Sequence, residues 1–273
     1  MKRLINQTPN VASALVLGAL PFVLVVAAYV IASDARLAEN PNDKLLPSLA
    51  SIADAVQRLA FEPDPRKGEY TLWVDTGASL IRLFIGLAIS TALGLVVGIA
   101  VGLLPLIRAG LGPFVTVICM VPPLALLPIL FIVFGLGEVA KVVLIVIGIA
   151  PFMIRDIAFH VAQLPSELLI KAQTLGASTW QIVTRVALPQ ALPRMVAALR
   201  LSLGPAWLFL IASEAIASTE GLGYRIFLVR RYLAMDVIIP YVMWITLLAF
   251  ALDYILKLTA QRSFRWQAEE GGL

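Results

Sequence analysis

Three stretches of this chain, Leu4–Ser33, Leu83–Ile107 and Ala109–Gly137, contain no charged side chain at all. Each exceeds the roughly 20 apolar residues that carry a helix across the hydrocarbon of a bilayer. Apolar residues fill 60% of the 273 positions, charged residues only 14%, and the mean hydropathy is +0.92. Those values place the chain among integral membrane proteins before any motif is read. The first stretch is too long for the apolar segment of a signal peptide and lacks a small-residue cleavage site, so it is expected to be a true span.

The predicted fold is all-α, with about six transmembrane helices near 11–32, 80–104, 113–134, 139–158, 196–217 and 237–257. The net charge of +4 is spread over loops and offers no block suited to nucleic acid; the expected surroundings are lipid. The single cysteine, Cys119, cannot form an internal disulfide, and the single histidine, His160, excludes a multi-histidine metal centre. No metal or cofactor is expected.

Between the first two spans, Leu49, Ile52, Ala53, Val56, Leu59 and Ala60 recur at helical spacing behind a capping Ser48, with Asp54, Gln57 and Arg58 on the other face. This predicts an amphipathic helix, either a lid on the bundle or a surface facing the solute. Lys and Arg counts are nearly even on the two sides. Discounting the long first loop favours Lys2, Arg3, Arg108, Lys171, Arg185, Arg194, Lys257, Arg262 and Arg265 on the cytoplasmic side.

Gly86, Gly94, Gly98 and Gly102 form a small face for close helix approach. Pro122, Pro123 and Pro128 break the third span and Pro151 bends the fourth, which fits either a translocation path, with Met120 beside it, or simple kinks. Glu214 lies inside the apolar run Leu208–Ala217. An acid there is a candidate gate or path residue, or else an ion-pair anchor to Arg225, Arg230 or Arg231 after the following turn. Asp253 and Lys257 are expected to pair along one helix, and Arg200 to snorkel to the surface.

The segment 166–189, SELLIKAQTLGASTWQIVTRVALP, is too polar to cross and too patterned to be a linker. Ser166 and Glu167 suit a helix start, and Gly176 suits a left-handed helix end. Ser178-Thr179-Trp180-Gln181 reads as a capping box, Pro189 as a stop and Pro193 as the first turn of the next span. Two short helices at a fixed angle result, fit for a partner's groove or for a surface hairpin that merely joins two spans.

Ala172, Gly176, Leu188 and Pro189, with Val186 in place of an Ile, match the loop signature of ABC importer permeases. The opening departs from it, because Ile170 and Lys171 stand where the family has Glu-Ala. The following run TLGASTWQIVTRVALPQALPRMVAALRLSLGPAW, Glu214 and the GLGY at 221–224 resemble permeases for nitrate, sulfonate, taurine and bicarbonate, over about residues 75–262. The resemblance implies an N-terminal helix and extracytoplasmic loop in 1–74, a permease core in 75–262 and a cytoplasmic tail in 263–273. It makes 166–189 a cytoplasmic coupling hairpin between spans four and five. Its ATPase-coupling candidates are Glu167, Lys171, Ala172, Gly176, Ala177, Ser178, Leu188 and Pro189, with Lys171 or Glu167 standing in for the missing Glu.

The family implies a homodimer with two ATPase subunits and an extracytoplasmic binding protein, moving a small polar solute. It also implies a multi-pass place in the bacterial inner membrane, both termini cytoplasmic. The chain carries no Gly-x-x-x-x-Gly-Lys-Ser/Thr phosphate loop, so it is not expected to be an enzyme, and ATP hydrolysis would come from a partner. A secondary transporter with an ion site at Glu214, or a membrane scaffold recruiting a soluble partner, are the alternatives.

Overall fold

The computed structural model describes residues 10–264 apart from Asn42 and Arg66. Lys2, Arg3, Arg265 and the tail beyond Phe264 lie outside the described residues. Every regular element among the described residues is helical. In chain order these are α1 Val11–Glu39, α2 Leu49–Phe61, α3 Thr71–Leu103, α4 Pro105–Ile118 and α5 Leu127–Phe134. There follow α6 Glu138–Ala162, α7 Ser166–Thr174, α8 Thr179–Ile182, α9 Leu188–Ala217, α10 Leu222–Arg230 and α11 Met235–Ser263.

Five helical stretches are long and apolar enough to cross a membrane: α1, α3, α6, α8 run on into α9, and α11. The sixth is broken. The α4 helix and the segment Pro123–Phe134 meet at an angle of 82°. Pro122 and Pro123 have no N–H to continue the ladder, so the last turn of α4 tightens instead. Met120 N–H bonds the Val117 carbonyl at 3.0 Å, and Val121 N–H bonds that of Ile118 at 3.1 Å.

The bundle is organised around α3 and α6, which run side by side in the same direction. Glycines on α3 receive a four-residue ridge on α6, the small face anticipated from sequence. A Cβ at Gly94 would stand 2.9 Å from Met153 Cβ, and one at Gly102 would stand 2.7 Å from Val161 Cβ and 2.8 Å from the Ala158 carbonyl. Neither contact admits a side chain, so this close packing depends on glycine. The same α3 face continues upward through Ser90, Arg82, Ser79 and Asp75, all buried.

That continuation corrects the expected start of the second span. The helix begins at Thr71, not near 80, because its polar first turns are buried against partners and not spent in a loop. The α2 helix is capped by Ser48, whose hydroxyl accepts from Ser51 N–H at 3.1 Å, as expected. It rests on α3 and α11 through Ala55 and Ala60, while Leu49 and Ala53 of the predicted apolar face are exposed. The α1 helix presents most of its apolar surface outward; Tyr29 and Ser33 tie it to the loop before α2 by bonds to the Pro47 carbonyl of 2.7 and 3.1 Å.

Candidate functional site

The hairpin α7–α8 takes its shape from its own sequence. The α7 helix opens at Ser166 with Pro165 in the capping position and no side-chain cap, which corrects the expected Ser166 cap. Its end is a complete Schellman turn: Gly176 has φ +77°, its N–H bonds the Gln173 carbonyl at 2.9 Å, and Ala177 N–H reaches back to the Ala172 carbonyl at 3.0 Å. The spacing from Ala172 to Gly176 and Ala177 is thus the spacing of one helix stop. Ser178 and Gln181 then exchange both bonds of a capping box.

Pro189 does not end the second helix. Residues Val183–Ala187 form a π turn, closed by Leu188 N–H on the Val183 carbonyl, and the helix continues through Pro189 and Pro193 to Ala217. The wider turn takes up the proline ring and its missing donor, which a regular α turn would not. The hairpin leaves large apolar side chains uncovered: Leu175 is 87% exposed, Trp180 72% and Ile170 56%. Glu167 and Lys171 lie on the same short exposed helix.

A second constellation lies at the opposite end of the bundle. Glu214 is fully buried, and both its oxygens are engaged: Ser79 Oγ donates at 2.8 Å, Arg82 Nη1 at 2.6 Å and the Gly223 N–H at 2.8 Å. Arg82 also forks onto Glu138 and donates to the Glu220 carbonyl at 2.9 Å. Lys141 joins Glu138 at 2.8 Å and Ser218 at 3.1 Å. Asp75 accepts from Gly221 N–H at 2.9 Å, Arg225 Nε at 2.8 Å and the Tyr241 hydroxyl at 2.9 Å.

Three successive backbone donors, those of Gly221, Leu222 and Gly223, therefore end on Asp75, Ser79 and Glu214 in turn. These are orphan donors at the start of α10, and each finds a side chain from another helix. The GLGY motif is explained by this clamp. Gly221 has φ +129°, and a Cβ there would lie 2.6 Å from the Glu214 carboxylate. Glu214 thus pairs with Arg82 across the bundle and not with Arg225, Arg230 or Arg231; Arg225 is held by Asp75.

Sequence reasoning missed Asp75, Ser79, Arg82 and Lys141 as a group. The first three lie at i, i+4 and i+7, one face of a helix, and that spacing carries the signal. One other expected pairing changes partner: Asp253 binds Arg200 at 2.8 and 3.1 Å and not Lys257. Asp156, for which no partner was expected, binds Arg194 at 2.8 and 2.5 Å.

The path candidates are not gathered together. Pro123 lines a cavity of about 590 Å³ beside the break, with Cys119, Pro151 and Arg155. Met120 and Pro122 sit at the break with exposed side chains. Glu214 belongs to the far network and lines no part of that cavity.

A helical membrane bundle with a broken span, a glycine-packed core and a self-capped polar hairpin defines the transmembrane subunit of a transporter. Residues 90–265 match the family described as binding-protein-dependent transport system inner membrane component, and the chain belongs to that family, the membrane permeases of ABC importers. The taurine transport system permease protein TauC of Escherichia coli K12 is 39% identical over 200 residues, 73% of this chain and 72% of that protein. The putative aliphatic sulfonates transport permease protein SsuC of the same organism is 32% identical over 226 residues, covering 82% and 83%. Among solved structures, a chain of the methionine ABC transporter MetNI in an inward-facing conformation superposes with a TM-score of 0.52 at 25% identity. It matches 69% of this chain and 94% of its own length.

Proposed function

We propose that this permease carries a small polar solute of the sulfonate, taurine or nitrate type, delivered by an extracytoplasmic binding protein. Two copies of the chain form the path, and two copies of an ATPase drive it. The hairpin 166–189 is the cytoplasmic coupling element, so the Glu214 network stands at the extracytoplasmic end and both termini face the cytoplasm. The 75–262 segment works as the permease core, with the 1–74 segment as an added helix and outer cover.

The observation that carries the coupling reading is the exposed tip of the hairpin. Leu175, Trp180 and Ile170 project from a segment whose shape is fixed by its own caps, and Ile170 and Leu175 lie outside any stretch apolar enough to cross. Large apolar side chains on a rigid polar hairpin suit a partner's groove, the helix-in-groove mode of recognition. Glu167 and Lys171 flank that patch and supply polar contacts, while Ala172, Gly176, Ala177, Ser178, Leu188 and Pro189 hold its shape. Glu214, through its bonds to α3 and α10, keeps the extracytoplasmic end shut or open as one unit with them. The break at Met120, Pro122 and Pro123 borders the path.

The test is co-purification with the ATPase encoded alongside it, reconstituted in lipid, comparing wild type with Leu175→Asp. The variant is expected to keep its melting temperature and to lose ATPase association and taurine- or ethanesulfonate-stimulated hydrolysis. Unchanged association and stimulation would remove the hairpin from the coupling role.

A further inference from the structure

The cavity beside the broken span carries a feature that the coupling and far-end constellations leave unused. Its walls include Cys119 and Pro123 from the break, Gly148 and Arg155 from α6, and Phe209 from α9. The phenyl ring of Phe209 enters through the place of a missing side chain: a Cβ on Gly148 would stand 2.2 Å from it. The result is a shaped wall, mostly apolar, with Phe152 and Phe159 completing it.

Arg155 and Asp156 both line this cavity, and of the two only Asp156 has an ion-pair partner. The adjacent Asp156 has both oxygens bound by Arg194, at 2.8 and 2.5 Å, so it does not neutralise Arg155. Among the ion pairs of the described residues Arg155 takes no part. The Cys119 thiol lines the same cavity. Pro122 and Pro123 bring no N–H groups, so the break itself does not compete for an anion. Arg155, Asp156 and Arg194 together leave one positive charge on a cavity in the apolar part of the chain. Charge of that kind inside a membrane protein is costly and faces water or a ligand.

We propose that this cavity is a transit site for a compact oxyanion, a sulfonate or nitrate group, whose oxygens are bound by the Arg155 guanidinium. The planar fork of Arg matches two oxygens of such a group side by side, which a lysine ammonium does not. The volume of about 590 Å³ is within the range of small-ligand pockets, and the Phe152 and Phe159 rings accept a short alkyl chain behind the head group. One cation, without further donors, binds weakly enough for the solute to leave, as a conduction site requires. This assignment rests on the proposed sulfonate-type substrate, and the experiment separates the two.

Cys119 is the only cysteine in the chain and lines the same cavity, so it reports on it directly. In the full transporter in lipid nanodiscs, its rate of reaction is measured with sulfonatoethyl and trimethylammonioethyl methanethiosulfonate, each normalised to a free thiol. The anionic reagent is expected to be favoured by roughly tenfold, the scale on which a charged cleft concentrates a counter-ion. Arg155→Gln should bring that ratio close to one, Arg155→Lys should give an intermediate value, and Arg231→Gln should leave it unchanged. Ethanesulfonate should slow Cys119 labelling in wild type and not in Arg155→Gln, and Arg155→Gln should raise the KM for ethanesulfonate uptake more than it lowers kcat.

A ratio and a protection that ignore Arg155→Gln overturn the site, as does a Cys119 that reacts with neither reagent in the folded complex. Protection by ethanesulfonate without ATP-driven uptake sustains the anion site and sinks the import substrate. Uptake with no dependence on Arg155 does the reverse.

Discussion

At the end of the bundle remote from the hairpin, side chains from α3, α6, α9, α10 and α11 satisfy one another in a buried network. The hairpin makes its defining bonds within itself and turns Ile170, Leu175 and Trp180 outward. The first region exists only when five helices are already assembled, and removing Arg82 strands the buried Glu214. The second has its shape as soon as its own chain folds, and its apolar surface remains available to a partner. In energetic terms one end stabilises this subunit, while the other leaves apolar area uncovered.

The comparison breaks most readily at Arg82. Replacing it with Met leaves Glu214 buried without its cation, expected to cost about 3–5 kcal/mol. Thermal unfolding in nanodiscs should show a large loss; a wild-type melting temperature would mean the network does not hold this end together. Gly221→Ala comes next. It puts a Cβ against the Glu214 carboxylate in a conformation that is essentially glycine-only, at a cost of about 1–3 kcal/mol in the same assay.

At the hairpin, Gly176→Ala has open space around it and meets only the left-handed backbone penalty, about 1 kcal/mol. Its melting temperature should move less than that of Gly221→Ala, and an equal shift would erase the contrast. The smallest effect is expected where charge is paired in water. Asp43, in the loop between α1 and α2, is held below the usual carboxylate range by the Leu45 N–H and by the half-exposed Arg36. A depressed folded value gives stability that is present above the unfolded carboxylate range and lost as pH falls through the folded value. Asp43→Asn should therefore differ slightly from wild type near neutrality, and the difference in melting temperature should vanish in acid. A larger loss than for Arg82→Met would show that charge, not burial, sets the scale.

What could be read beforehand follows the same divide. The apolar runs, the broken third span, the glycine face, the Ser48 cap, the Gly176 stop and the Ser178–Gln181 box are each written within a few neighbouring residues. The far-end network is not, because Arg82 and Glu214 are joined only by the folding of the chain between them. Charges near a span edge look like loop residues until a partner is known, which is why α3 was expected to begin too late. The partners of Asp253 and Asp156 were missed for the same reason: each lies on another helix. The π turn escaped because Pro189 signals a stop when read locally, while the widened turn that accommodates it depends on the helix being wanted on both sides.

That turn has a mechanical meaning. From Thr179 to Ala217 the helix runs unbroken for 39 residues, about 58 Å at 1.5 Å per residue, with its π turn near the hairpin and prolines at 193 and 205 beyond it. A strut of this kind works as a lever with unequal arms. The short arm is what a motor would grip, and the long arm ends beside Glu214. If the hairpin couples to a motor as proposed, a few degrees of tilt taken up near Val183–Ala187 would sweep the remote tip through several times the travel of the gripped end, and a modest stroke at one end would become a wide displacement at the other.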